Sequence, residues 1–228
     1  MLYNVIRDGD SVSYVPTTLG NILLVLVFIA FLAVAALFAK KKAAPSKSST
    51  KLTVKQMAFC AISIALGTVL SYIKLFEFPF GGSVTLLSML IICLPGYWFG
   101  LGAGLMTGFA HGILQLIIDP FVIHPVQLLM DYPLAFGSLG LSGLFSNSKN
   151  GLQKGLIAGV TGRWLFSSLS GYLFFKEYAW DGWHPLPYTF TYNGIYIFTE
   201  TAVTLILLAI PYVRNTFARI KRLALESQ

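Results

Sequence analysis

Long apolar runs separated by short polar breaks occupy most of the chain. Residues 19–39 carry no charge and are long enough to cross a hydrocarbon core, which takes about 20 helical residues. No small-residue cleavage site precedes the lysines that follow, so this run predicts an uncleaved anchor with its N-terminus outside. Residues 1–18, mixed in character with Asp8, Asp10 and Pro16, read as an extracytoplasmic tail. Residues 40–50, KKKAAPSKSST, read as a basic linker. A helix is expected over about 54–73, capped by Thr53, with Ala58, Ala61 and Ala65 along one face. Small residues at such spacing let helices approach closely in lipid, either within one chain or against a partner. The stretch 74–83, KLFEFPFGGS, breaks the pattern and reads as a loop whose aromatics can fold inward as a lid.

Further spans are expected over about 84–99 and 100–118, with a turn at Pro95-Gly96. Gly104, Gly108, His111 and Gln115 share one helical face, small and polar, that must meet protein or a cavity. A fourth span contains HPVQLLMDYPLAF (124–136) and ends near Phe145; 146–151 is a polar turn. The fifth covers about 152–175, the aromatic and acidic stretch 176–187 is a loop, and the sixth covers about 188–213.

Composition supports a polytopic membrane protein: 56% of residues are hydrophobic, 11% are charged and the mean hydropathy is +0.72. An ordinary soluble domain has about 25% charged residues. The formal charge of +7 does not point to nucleic acid, because most basic residues fall in clusters between or after apolar runs. These clusters are Lys40–Lys55, Lys149 with Lys154, and Arg214, Arg219, Lys221 and Arg222, and they mark the cytoplasmic side. Asp8, Asp10, Glu77, Asp119, Glu177 and Asp181 then fall outside, which makes the outer mouth acidic. Cys60 and Cys93 lie within apolar runs and read as buried small hydrophobes.

Three ionisable side chains remain at membrane depth: Asp131, Arg163 and Glu200. A carboxylate at a helix centre costs about 2.5–3.5 kcal/mol, so each needs a partner or a cavity. Gln127 and Asp131 are four residues apart; Arg163, Ser167 and Ser170 share a face, as do Asn193, Tyr196 and Glu200, with Tyr188 and Tyr192 beside them. Together they outline a polar, aromatic-lined pocket. One reading is an internal ion pair, Arg163 with Glu200 or Asp131; the other is a site for a flat organic cation. No nucleotide-binding loop, nucleophile elbow, HExxH pair or CxxC pair is present, so no enzymatic motif competes and no metal or cofactor is implied.

LSYIKLFEFPFGGSVTLLSM (70–89), GLMTGFAHGILQLI (104–117), HPVQLLMDYPLAFGSLGLSG (124–143) and SGYLFFKEYAWDGWHPLPYTFTYNGIY (170–196) resemble the ThiT-type thiamin-binding S-components of energy-coupling-factor transporters. The resemblance covers about residues 52–222. It implies an all-α six-helix membrane core at 51–228, preceded here by an extra segment at 1–50. It further implies capture of thiamin from outside the cell, with a transmembrane coupling protein and two cytoplasmic ATPases as partners. By correspondence with the family's motifs, the pocket residues are Asp131, Tyr132, Arg163, Ser167, Gly171, Phe175, Tyr188 and Asn193, with Phe80 from the lid. Ala61 and Ala65 match its coupling-protein contact. Where family members often carry His and Trp, this chain has Ser167 and Phe175, losing a ring donor and a larger stacking surface. An S-component for a thiamin precursor, a stand-alone secondary carrier and a purely structural subunit remain as alternatives.

Overall fold

The computed structural model describes residues 3–8, 11–18, 52–78 and 81–226. The expected anchor at 19–39, the linker at 40–50 and Phe80 lie outside the described residues. The N-terminal stretch contains paired strands: β1 (Tyr3–Asp8) runs antiparallel to β2 (Ser11–Pro16), with Asp8 opposite Ser11.

The helical bundle starts at α1 (Val54–Ser71), where Thr53 caps as its position suggests. Its hydroxyl accepts from Gln56 N at 3.2 Å, and Gln56 Oε1 accepts from Thr53 N at 3.0 Å, so two otherwise orphaned donors are satisfied reciprocally. Residues 74–83 are not the plain loop expected from Pro79 and the glycines. β3 (Lys74–Glu77) pairs antiparallel with β4 (Ser83–Thr85), and Gly81 at φ 92° provides the left-handed backbone between them.

The next helix, α2 (Ser88–Phe99), is shorter than its apolar run, because β4 and a left-handed Leu87 at φ 61° occupy the preceding residues. Twelve residues span only about 18 Å. Ser88–Gly96 and Trp98 are nevertheless buried, which makes α2 the inner post of the bundle. Around it stand α3 (Leu101–Ile118), α4 (Pro125–Phe145), α5 (Gly151–Phe174) and α6 (Pro185–Ala209). Among the described residues, α1, α3, α4 and α6 are long and apolar enough to cross a membrane. α5 is long too, but its arginine, serines and glycines lower its hydropathy, and it buries much of its surface against protein.

The small face of α3 packs backbone to backbone against α4. A Cβ on Gly104 would lie 2.6 Å from Gly140 O, and one on Gly140 would lie 2.3 Å from the Gly104 carbonyl carbon. Only glycine at both positions permits that crossing. The buried core joins Met89–Leu94 and Trp98 of α2 to Leu139, Leu152, Leu156, Val160, Ile197 and Leu208. Cys60 and Cys93 are both buried and unpaired.

The last apolar run does not continue as one helix to Val213. Ile210 is extended, with ψ 120°, as the residue before a proline tends to be, and α7 (Pro211–Leu225) starts there as a separate amphipathic helix. Val213, Phe217 and Ile220 of α7 pack on the core. Lys55 Nζ donates to Leu223 O at 2.6 Å; Lys221 Nζ donates to Ser146 O and lies 3.8 Å over the Tyr97 ring. These contacts place α7 at the start of α1 and the ends of α2 and α4, opposite the β3–β4 hairpin.

Candidate functional site

The α4 helix is irregular where its chemistry lies. Pro133 has no N–H to donate to the preceding turn, and Met130–Leu134 widen into a π-helical turn carrying Asp131 and Tyr132. The turn opens onto a cavity of about 290 Å³. Asp131 and Tyr132 form one wall, and Arg163, Ser167, Gly171 and Phe175 enter from α5 and its C-terminal cap. Tyr188 and Asn193 of α6 form the opposite side, while Gly81, Gly82 and Ser83 of the hairpin border it. Eight of the nine residues expected at the pocket thus meet around one cavity; the ninth, Phe80, lies outside the described residues.

Gln127 holds Asp131 in place. Its Nε2 donates to Asp131 Oδ2 at 2.7 Å and to Phe121 O at 3.0 Å, and its Oε1 accepts from Ile123 N at 3.2 Å. The buried amide therefore ties the carboxylate to the loop before α4. Tyr132 is fixed to the same loop: its hydroxyl donates to Asp119 O at 3.0 Å and accepts from Phe121 N at 2.8 Å. The fixed loop places Phe121 in the wall, stacked on Phe175 at 5.9 Å and 26°. Tyr188 and Tyr192 pack at 5.6 Å on the far side, with Trp180 edge-on to Tyr188 at 5.2 Å.

Arg163 pairs with neither acid. Among the described residues the ion pair is Lys74–Glu77, at 2.6 Å on the hairpin surface. The Arg163 guanidinium instead lies 4.4 Å over the ring of Phe136, whose edge contact with His111 has a centroid separation of 5.0 Å. Glu200 has a different task. Its Oε2 accepts from Thr85 N at 3.0 Å and Thr85 Oγ1 at 2.6 Å, while Oε1 accepts from Met89 N at 3.1 Å and Ser88 Oγ at 3.3 Å. Leu87 offers no side-chain cap, so Glu200 reaches across from α6 to cap α2. Of the two readings open for Glu200, the ion pair with Arg163 does not form; Glu200, two turns beyond Asn193 and about 10 Å deeper, caps a helix.

Asn193 is largely engaged within the protein. Its Nδ2 donates to Thr189 O at 2.8 Å, and its Oδ1 accepts from Tyr196 OH at 2.6 Å, which orients the Tyr196 ring. Tyr196 and Arg163 also line an adjoining chamber of about 250 Å³ on the other side of the hairpin, reaching Lys74, Gln115 and Glu200. Gly82 fits flat against Tyr196 at the partition: a Cβ there would lie 2.6 Å from the ring. Tyr192 and Tyr196, which spacing placed at the pocket, line the main cavity, and Phe121, Tyr178, Thr189 and Gly82 complete it without having been singled out as pocket residues. Tyr192 and Tyr196 had a signal, since they belong to the α6 face bearing Asn193; Phe121 had none, because its position depends on the Gln127 and Tyr132 contacts.

The histidines are structural. Nδ1 of His124 accepts from Val126 N at 3.1 Å and that of His184 from Leu186 N at 3.2 Å, capping α4 and α6; His111 Nδ1 meets Thr68 Oγ1 at 3.3 Å. Among the described residues no group of three His, Cys, Asp or Glu side chains can hold a metal. Cys60, Ser63, Gly67 and Thr68 give α1 its inward face, whereas Ala58, Ala61 and Ala65 are exposed. The alanine face therefore does not pack against another helix among the described residues.

A family model described as thiamine transporter protein (Thia_YuaJ) matches residues 57–219. The thiamine transporter ThiT of Bacillus subtilis is 34% identical over 67% of this chain and 88% of its own length. ThiT of Lacticaseibacillus paracasei is 28% identical over 49% of this chain and 64% of its own. A solved structure of ThiT from Listeria monocytogenes superposes with a TM-score of 0.56 at 25% identity, covering 69% of this chain and 96% of that one.

Proposed function

Because the chain belongs to the thiamine transporter protein family, a family of multi-pass membrane transporters, we propose that its aromatic-walled cavity captures thiamin from outside the cell. The observation that carries this reading is Asp131: a carboxylate at membrane depth, positioned by Gln127, without an ion-pair partner among the described residues, and bordering a cavity. Thiamin joins a permanently cationic thiazolium ring to a flat aminopyrimidine. Asp131 serves as the anionic partner, and Phe175 with Phe121 and Tyr188 with Tyr132 provide flat faces. Arg163 and Ser167 supply polar contacts, while Asn193 sets the position of Tyr196. Gly171 allows α5 and α6 to approach at the cavity, since a Cβ there would lie 3.1 Å from Thr189. The β3–β4 hairpin acts as the lid, carrying Phe80.

Without a nucleotide-binding motif, uptake against a gradient needs energy from elsewhere. The chain works as the substrate-capture subunit of an energy-coupling-factor transporter, with its pocket facing outward and its basic C-terminus in the cytoplasm. The exposed Ala61/Ala65 face docks the transmembrane coupling protein, which two ATPases drive. Residues 1–50 form an anchoring segment that precedes the 51–228 binding core.

Titrating purified protein with thiamin while following tryptophan fluorescence tests capture, with saturable quenching expected because Trp180 abuts Tyr188. A folded protein showing no saturable change overturns the reading. Ala61→Trp is expected to abolish co-purification with the coupling protein while leaving thiamin affinity within about twofold, as a surface change remote from the cavity should. Retained co-purification would remove the docking assignment and leave capture intact.

A further inference from the structure

The cavity and the lid leave the opposite end of the bundle unaccounted for. There α7 turns Val213, Phe217, Ile220 and Ala224 inward and is held by Lys55 and Lys221. Its outward side carries a hollow of about 360 Å³ lined by Tyr212, Asn215, Thr216, Ala218, Arg219 and Arg222. Asn215, Arg219 and Arg222 recur at i, i+4 and i+7, so two guanidinium forks and an amide share one ridge. No carboxylate lines the hollow, and among the described residues no ion pair engages either arginine. Tyr212 and Leu223 flank the ridge, 82% and 59% exposed.

We propose that this hollow binds the phosphodiester headgroup of an anionic phospholipid. Arginine forks match phosphate oxygens bidentately, whereas a bare cluster of lysines would only attract them. Location selects a lipid over an acidic protein segment. α7 starts one residue after α6, a helix able to span the bilayer, so it begins where that span meets the headgroups. An exposed Tyr and Leu beside the arginines suit the boundary between headgroups and acyl chains. An acidic peptide would leave those apolar side chains in water. The proposal rests on the membrane-spanning reading and not on the identity of the transported ligand.

The test uses the full-length protein in detergent, with native mass spectrometry after adding phosphatidylglycerol or phosphatidylcholine at equal concentration. Wild type is expected to retain phosphatidylglycerol in preference to phosphatidylcholine. Arg219→Gln/Arg222→Gln is expected to lower that retention roughly 30-fold, from the charge each arginine contributes beside an anionic surface. Lys149→Gln/Lys154→Gln, which alters the other basic cluster in the core, is expected to leave retention unchanged. Equal retention of the two lipids, equal retention by the arginine variant, or an equal loss in the lysine variant would overturn the proposal. Inorganic phosphate captured in place of the lipid, and lost with the arginines, would overturn the lipid assignment. Melting temperature and thiamin titration of the arginine variant report folding. If wild type itself fails to bind thiamin, the lipid comparison still decides this proposal.

Discussion

Asp131 and Glu200 are both carboxylates on helices apolar enough to cross a membrane, yet their surroundings differ in kind. Glu200 receives four protein donors, two of them backbone amides, Thr85 N of β4 and Met89 N at the start of α2, and is 3% exposed. Asp131 receives the Gln127 amide and borders an aromatic cavity. An acid satisfied by a helix terminus stabilises the fold. An acid oriented by an amide and left beside empty volume can exchange solvent for a cation. Burial alone does not separate the two; the donor inventory does.

The comparison can be broken most severely at Asp131. Asp131→Asn should lower thiamin affinity about 100-fold, as loss of one partner of a desolvated charge pair does, while the melting temperature stays near wild type. Unchanged affinity would remove Asp131 from the site. Glu200→Ala should act the other way round. Orphaning the Thr85 and Met89 amides should cost about 1–3 kcal/mol per group in thermal or denaturant stability, with any affinity loss tracking the unfolded fraction. Full stability would show that α2 is capped by other means.

Gly82→Ala probes the partition between the chambers. Its Cβ would lie 2.6 Å from the Tyr196 ring, and the resulting strain of about 1–3 kcal/mol should lower affinity roughly tenfold through faster dissociation. An unchanged dissociation rate would show that the hairpin does not close against α6. The smallest effect is expected from Phe175→Trp. A wider ring stacked with Phe121 adds about 0.5–1 kcal/mol, roughly a two- to fivefold gain in affinity by titration. A loss would indicate that the smaller ring fits the cavity better.

Much of this was legible in the apolar pattern. The borders of α3 and α5, the capping role of Thr53 and the small face of α3 follow from spacing, because helical periodicity determines which side chains share a face. Depth was less legible. Asn193, Tyr196 and Glu200 fall on one face, but periodicity says nothing of what lies opposite each turn, so spacing left an ion pair with Arg163 open for Glu200, whose backbone partners are the amides of Thr85 in β4 and Met89 in α2. The β3–β4 hairpin escaped because four residues of mixed character ahead of proline and glycine carry too little alternation to register as a strand. The break before α7 did have a marker, Pro211, which the continuing apolar run through Val213 masked. Periodicity grouped Asp131, Arg163, Ser167, Tyr188 and Asn193 around a pocket, family resemblance added Tyr132, Gly171, Phe175 and Phe80, and the structure brings the described ones together. It did not supply Phe121, whose place depends on two hydrogen-bonded side chains from another segment.

The paired burial of Cys60 and Cys93 has a practical corollary. They are the chain's two cysteines, so the native protein presents almost no reactive sulfur to a water-soluble maleimide. A single thiol introduced on the exposed β3 strand would carry a dye with little background, and the hairpin could be followed on individual molecules, with and without thiamin, without first stripping the core of its own residues.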